Sequence, residues 1–492
     1  MNSLQNLKLK NTFFELGKEF YQAKQPDPVT EPYIVDFNPS AAELIDLDPE
    51  EHKNPSFSAI FSGNQPLPGG SPLAMDYSGH QFGSYNPRIG DGRGLLLGQA
   101  VNSKNETWDI HLKGSGPTRF ARGFDGRATL RASIREHLAG EALHGLRIPT
   151  TRSLAIIGFR DLIYRETPDL AAILVRISDS HIRFGSFENF YYLNRPDLVI
   201  QLADHVIENH YPDLLNSSDK YRHLYREVIR VTASMIAKWQ AVGFVHGVMN
   251  TDNMSITGAT FDYGPFGFLD RFSPHFTANS SDTGGRYTFS KQAEIGHWNL
   301  GKLGEALSPV LEAEEIQEEL RNYQPTFNKQ YRELMGQKFG LSILDQEFTE
   351  LTGKMFELLH KSQADYTVFF RHCSDFDNLA QFRGLFQDTS GFDNWLDLYK
   401  RLVEREDEDP EERKIKMDQV NPKFILRNYL LQAAIDRALK EADFSEIVRL
   451  RELLKNPFQD DPELFRKHGI NPDLYSAPTP DSLVGMKMSC SA

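Results

Sequence analysis

Hydrophobic positions change period along the chain. Between 76 and about 190 they alternate or run in short glycine-bounded blocks: "GLLLGQAV" at 94–101, a polar turn "NSKNE", then "TWDIHLKGSG" at 107–116. Alternation of period two marks a strand, so the pair reads as a β-hairpin whose second strand ends at Lys113. Ile110 and Leu112 then share one face, with His111 and Lys113 on the other. "ATLRASIREHLAGEALHGL" switches to helical spacing through Leu130, Ile134, Leu138 and Leu143, with Arg135, Glu136 and Glu141 around its flanks. Two strand-like runs follow, "RSLAIIGF" and "LAAILVRI". Beyond about 195 the pattern is mainly helical. The stretch 220–244 carries Leu224, Val228, Val231, Met235, Trp239 and Val242 on one stripe, and another helix is predicted in "PKFILRNYLLQAAIDRALKEA" at 422–442. The charged segment "EREDEDPEERK" at 404–414 reads as a solvated helix end or linker. Residues 1–75, rich in Pro and Asn, read as an irregular N-terminal extension wrapping a core.

Composition narrows the function classes. At 492 residues with 40% hydrophobic content, the chain has material for two or three domains with real cores. Lys and Arg total 54 against 68 Asp and Glu, a net charge of −14 spread through the sequence. That disfavours non-specific nucleic-acid binding and leaves room for a local basic cleft. The N-terminus has neither a secretory apolar core nor a transit-peptide character. No apolar run approaches the roughly 18 residues of a membrane span. A cytoplasmic monomer is the expectation. With only Cys373 and Cys490, neither a disulfide framework nor a cysteine zinc cluster is available. Cys490, in "KMSCSA", is placed for an accessible tail thiol.

The candidate chemistry is that of phosphoryl or nucleotidyl transfer, which needs a phosphate cradle, cations, metal-binding oxygens and a hydroxyl-activating carboxylate. "PRIGDGRG" at 87–94 offers Gly90 and Gly92 for close backbone approach and Arg93 for phosphate. Lys113 ends its strand, and a candidate partner, Glu136, follows on the next helix at a kinase-like distance. "GSGPTRFARGFDGRATLR" at 114–131 is a second glycine-rich loop with Arg119, Arg122, Arg127 and Arg131, and with Asp125 and Gly126 within reach of a nucleotide. Arg176 and Arg183 fit either structural pairing or a bidentate phosphate clamp. In "VHGVMNTDNMSITGATFDYGPF" at 245–266, His246, Asn253 and Asp262 stand in the order of a kinase catalytic loop and its metal-binding Asp-aromatic-Gly. Val248 occupies the place of the usual catalytic Asp, and Asp252 is the carboxylate left in the loop to accept a hydroxyl proton.

With these residues assembled, the chain resembles the selenoprotein O family across nearly its whole length. The matching blocks are "YSGHQFGSYNPRIGDGRG", "WDIHLKGSGPTRFAR", "DGRATLRASIREHL", "HGVMNTDNMSITGATFDYGPFGFLD", "NPKFILRNYLLQAAI" and the terminal Ser-Cys-Ser. The resemblance implies an α+β, bilobal, protein-kinase-like fold: a β-rich N-lobe over 76–194, a helical C-lobe over 195–476, the extension 1–75, and a tail over 477–492. It implies protein adenylylation with ATP bound in a flipped orientation. AMP then passes to Ser, Thr or Tyr hydroxyls of protein substrates, redox-related proteins or the enzyme itself among them, and pyrophosphate leaves. Carried over by motif, Asp252 is the proton acceptor. Asn253 and Asp262 hold Mg²⁺, with Mn²⁺ as the alternative, and Lys113 with Glu136 organises the phosphates. Gly90, Gly92, Arg93, Asp125, Gly126, Arg176, Arg183 and Asp262 contact the nucleotide. Some relatives pair a C-terminal cysteine with one in the activation segment; residues 264–292 here contain none, which leaves Cys373 as the other thiol. Two further readings of the same residues are a kinase moving the γ-phosphate and a non-catalytic ATP-binding scaffold.

Overall fold

Strand-forming runs from both ends of the first 180 residues meet in one antiparallel sheet. The computed structural model describes residues 1–165, 168–375, 378–386 and 389–487, so Cys490 lies outside the described residues. The sheet contains β1 (Leu9–Lys10), β2 (Tyr21–Ala23), β3 (Tyr33–Phe37), β4 (Leu73–Met75), β7 (Gly94–Val101), β8 (Thr107–Lys113), β9 (Ala128–Thr129), β10 (Arg152–Tyr164) and β11 (Pro168–Ser178). Its order is β2-β4-β7-β8-β11-β10-β3, with β1 paired to β7 and β9 to β11. Two short hairpins stand apart from it: β5 (Gly79–Gln81) with β6 (Ser84–Asn86), and β12 (Phe244–Val245) with β13 (Gly267–Phe268). The remainder is largely helical, and the architecture is α+β.

Residues 1–75 are not irregular throughout. They supply β1 to β4, strands of two to five residues whose alternation is too short to read and whose backbone is satisfied only by pairing with distant partners. The same segment covers one face of the sheet, where Leu4, Phe57 and Phe61 cluster with Leu97, Ile110, Leu112 and Val175. The helix Leu130–Gly145 covers the opposite face and joins Ile134 and Leu138 to Ile156 and Leu174. Alternation along β8 therefore sends Ile110 and Leu112 into the first core and turns Lys113 toward the helix that bears Glu136.

The helix Leu130–Gly145 is buried along most of its length and capped by Thr129, whose hydroxyl accepts from the Ala132 amide at 3.1 Å. At Gly145 a Cβ would fall 1.9 Å from the Leu454 carbonyl oxygen, so this end admits only glycine against the helix Ser445–Lys455, distant in sequence. The long helix Lys220–Val242 stops at Gly243, whose φ of +73° turns the chain into β12 and the loop beyond it.

The helix predicted at 422–442 is shorter, Asn428–Glu441. Upstream of it the amides of Lys423 and Phe424 bond the Pro457 carbonyl instead of continuing a helix, and Phe424, Ile425 and Leu426 are buried in chain that is neither helix nor strand. Part of the charged segment is itself helical: Pro410–Asp418, with Asp409 accepting from the Glu411 and Glu412 amides. Among the described residues no helix is long and apolar enough to cross a membrane.

Candidate active site

A cleft of about 600 Å³ opens between the sheet and the loop that follows β12, within the size range of small-ligand pockets. Both glycine-rich loops line it. Gly90 has φ +58°, and a Cβ there would fall 2.4 Å from the Phe120 ring; at Gly92 it would meet the Phe120 carbonyl at 3.0 Å. Gly126, φ +64°, has room for no side chain, because a Cβ would sit 2.2 Å from the Gly116–Pro117 peptide. The loops interlock through their glycines and form a backbone wall.

Four of the expected residues form one buried chain of charge that runs on to a fifth. Lys113 Nζ lies 2.6 Å from Glu136 Oε2, Arg176 Nε lies 2.5 Å from Glu136 Oε1, and Arg176 Nη2 lies 2.7 Å from Asp262 Oδ1. Arg183 Nη1 closes the chain on Asp262 Oδ2 at 2.5 Å and also donates to the Asp252 carbonyl at 2.6 Å. The Arg183 guanidinium is held between the rings of Tyr77 and Phe261, at 4.2 and 4.6 Å from their centroids. Burial alone would raise the Asp262 carboxyl; Arg183, Arg176 and Lys113 outweigh it and hold the group well below the usual carboxylate range. Burial, set against Glu136, brings Lys113 down to about 8. Asp262 itself has φ +57°, an uncommon backbone for a non-glycine residue.

Asp252 sits differently. Its Oδ2 accepts a hydrogen bond from Gln81 Nε2 at 3.3 Å, while Oδ1 is buried with no hydrogen-bond partner among the described residues. Burial pushes its carboxyl up to about 7, against the pull of Arg183. Asn253, beside it, donates from Nδ2 to the Val248 carbonyl at 2.9 Å, which commits the nitrogen and leaves its oxygen to accept. His246 does not reach the cleft: it stacks on Trp239 at 5.3 Å, and its Nε2 faces the Phe261 carbonyl at 3.0 Å. It is a core histidine that ties the loop to the segment before Asp262.

The arginines of the second glycine-rich loop divide. Arg119 pairs with Asp76 and Arg131 with Asp169, both away from the cleft, whereas Arg122 and Arg127 line it. Arg127 donates to the carbonyls of Asp27 and Pro28. Arg93 and Arg122 have no ion-pair partner among the described residues, which makes them cationic charge the cleft can offer to an anion. Asp125 is engaged bidentately by Arg165 at 2.8 and 2.9 Å. Glu141 lies outside the cleft, paired with Arg152 at 2.7 Å. Cys373 is fully buried in a core of Phe339, Phe369, Phe370 and Tyr399.

Sequence reasoning passed over Arg165, Tyr77 and Gln81. Arg165 reaches Asp125 across 40 positions, Tyr77 braces Arg183, and Gln81 sits on the β5–β6 hairpin. The glycine turn in "GHQFGSYN" was a readable hairpin signal; nothing in the sequence ties Arg165 to Asp125.

Among the described residues no group of three His, Cys, Asp or Glu side chains converges as a cation cage. Asn253 and Asp262 nevertheless fit a hard divalent cation: both are oxygen donors on the cleft wall, and Mg²⁺ characteristically takes one or two protein ligands with the rest of its shell from phosphates and water.

Comparison with known proteins identifies the family. The family model described as "Protein adenylyltransferase SelO" matches residues 3–455. A protein nucleotidyltransferase, YdiU, of Myxococcus xanthus (strain DK1622) is 45% identical over 497 residues, covering 100% of both chains. One of the same name from Pseudomonas fluorescens (strain SBW25) is 44% identical over 496 residues, again with complete coverage of both. The chain belongs to the SelO family of protein adenylyltransferases, an enzyme of the nucleotidyltransferase class.

Proposed function

We propose that the enzyme transfers AMP from ATP to a Ser, Thr or Tyr hydroxyl of a protein, with the nucleotide reversed relative to a kinase, inside a bilobal kinase-like frame. The observation that carries this reading is the unpartnered, buried Oδ1 of Asp252 on the same cleft as Arg93 and Arg122. A carboxylate short of one hydrogen bond is an acceptor for an incoming hydroxyl proton. Val248, in the position where a kinase places that carboxylate, cannot take the role.

In the reaction the acceptor oxygen attacks the α-phosphorus, and its proton passes to Asp252 Oδ1. The bond from the α-phosphorus to the bridging oxygen breaks, and pyrophosphate leaves with the electron pair. Gly90, Gly92 and Gly126 admit the nucleotide to the backbone wall, with Asp125 beside them. Arg93, Lys113, Arg176 and Arg183 meet the β- and γ-phosphates, where negative charge grows as the bond breaks. Glu136 keeps Lys113 and Arg176 in register. Asn253 and Asp262 would hold Mg²⁺, or Mn²⁺, which when bound would supply positive charge to phosphate oxygens.

The test is paired labelling: protein, Mg²⁺ and ATP labelled at the α- or the γ-phosphate, with Asp252→Ala and Asp262→Ala as controls. Label from the α-position alone, lost in both variants, is the expected result; label from the γ-position alone would make the enzyme a kinase.

A further inference from the structure

Asp252 needs one oxygen held and the other free. The β5–β6 hairpin is built onto the Asp252 turn to achieve this. The His80 amide donates to Thr251 Oγ1 at 2.6 Å, and the Phe82 amide donates to Asn250 Oδ1 at 3.2 Å and to the Tyr287 hydroxyl at 3.0 Å. Gly79 lies so close that a Cβ there would fall 2.9 Å from the Asp252 amide nitrogen. On the far side, His80 Nδ1 stands 2.6 Å from Glu188 Oε2, and the Tyr85 hydroxyl donates to Ser78 Oγ at 2.9 Å.

Between these anchors Gln81 extends into the cleft. An amide side chain presents either its nitrogen or its oxygen to a neighbour, and here the choice is made by Asn86. Asn86 Nδ2 donates to Gln81 Oε1 at 3.0 Å, which turns Gln81 Nε2 toward Asp252 Oδ2. A carboxylate with one oxygen tied by a donor of fixed orientation points the other at a single place.

We infer that Gln81, oriented by Asn86, is a positioning residue for adenylyl transfer: it fixes the Asp252 carboxylate so that Oδ1 faces the acceptor hydroxyl. The inference rests on the proposed role of Asp252. It makes the hairpin 79–86 part of the acceptor side of the cleft, distinct from the glycine-rich loops and cations on the nucleotide side. Loss of Gln81 should slow the transfer step and leave ATP binding as it was.

The experiment measures apparent kcat and ATP KM for transfer from α-labelled ATP, with heat-denatured extract protein at fixed concentration as acceptor pool and Asp252→Ala as reference. ATP binding is measured in parallel by calorimetry. Gln81→Leu is expected to lower kcat about tenfold to a hundredfold, the scale of one hydrogen bond to a charged group, with ATP KM and binding unchanged. Asn86→Asp, which accepts from the Gln81 amide and reverses it, should lower kcat comparably. The double variant should fall no further than either single one, because both remove the same contact. Unchanged kcat in Gln81→Leu, a loss confined to ATP KM or binding, or a wild-type rate in Asn86→Asp would overturn the assignment while leaving Asp252 in place. Full transfer by Asp252→Ala, or no α-label on the wild-type reaction, would overturn the reading of Asp252 itself and the inference with it.

Discussion

Asp252 and Asp262 lie in one loop and line one cleft, yet they are opposites. Asp262 has both oxygens clamped by arginines and is held well below the usual carboxylate range. Asp252 has one long hydrogen bond, one oxygen with no partner among the described residues, and a carboxyl raised to about 7. Burial acts on both in the same direction; partners decide the outcome. A carboxyl that keeps its charge at any working pH suits a cation site, and one close to neutrality in its proton affinity suits proton acceptance.

The contrast breaks most sharply at Asp262. Asp262→Ala removes the shared partner of Arg176 and Arg183, leaving buried Arg183 without its carboxylate and Arg176 with Glu136 alone. Transfer should be lost, and stability in urea should fall by about 3–5 kcal/mol, the cost of breaking a buried ion pair from one side. Asp252→Asn should also suppress transfer, by about 10²–10⁴-fold, with the opposite effect on stability. The folded-state carboxyl of Asp252 binds its proton more tightly than the unfolded one, so its contribution is full at acid pH and is lost as pH rises toward and through about 7. The variant should therefore be more stable than the parent at pH 8, by on the order of a few kcal/mol, and the difference should vanish near pH 4. Thermal melts of the nucleotide-free protein across that range check the sign.

A smaller effect is expected at Lys113→Met. It removes the cation from Glu136 but leaves Arg176 on the same carboxylate, so the main result should be a higher ATP KM and slower transfer, about tenfold to a hundredfold in kcat/KM. Smallest is Arg165→Ala. Its pair with Asp125 is partly exposed, so stability should change by about 0–1 kcal/mol in denaturant melts. A large loss there would mean that the cleft rim is as tightly coupled as its floor.

Much of this site was legible in the sequence because its parts are local. The hairpin β7–β8 and the helix Leu130–Gly145 announce themselves by period, and they carry Lys113 and Glu136. The loop 245–266 carries Asp252, Asn253 and Asp262 in a recognisable order. What escaped was long-range or conditional. Arg176 and Arg183 were open between phosphate clamp and structural pairing. The structure has both on Asp262, which lies 86 and 79 positions away and is reached only once β11 is in the sheet. The strands of residues 1–75 were missed because two- to five-residue segments carry no period of their own. Gln81 was missed because an amide's role depends on which neighbour fixes its rotation, here Asn86.

The measurement that bears most directly on the central claim is a crystal structure of the enzyme with Mg²⁺ and an ATP analogue whose α,β-bridging oxygen is replaced by methylene. The account requires the α-phosphate beside Asp252 Oδ1, and the β- and γ-phosphates among Arg93, Lys113, Arg176 and Arg183. A γ-phosphate beside Asp252, with the α-phosphate among those cations, would contradict it.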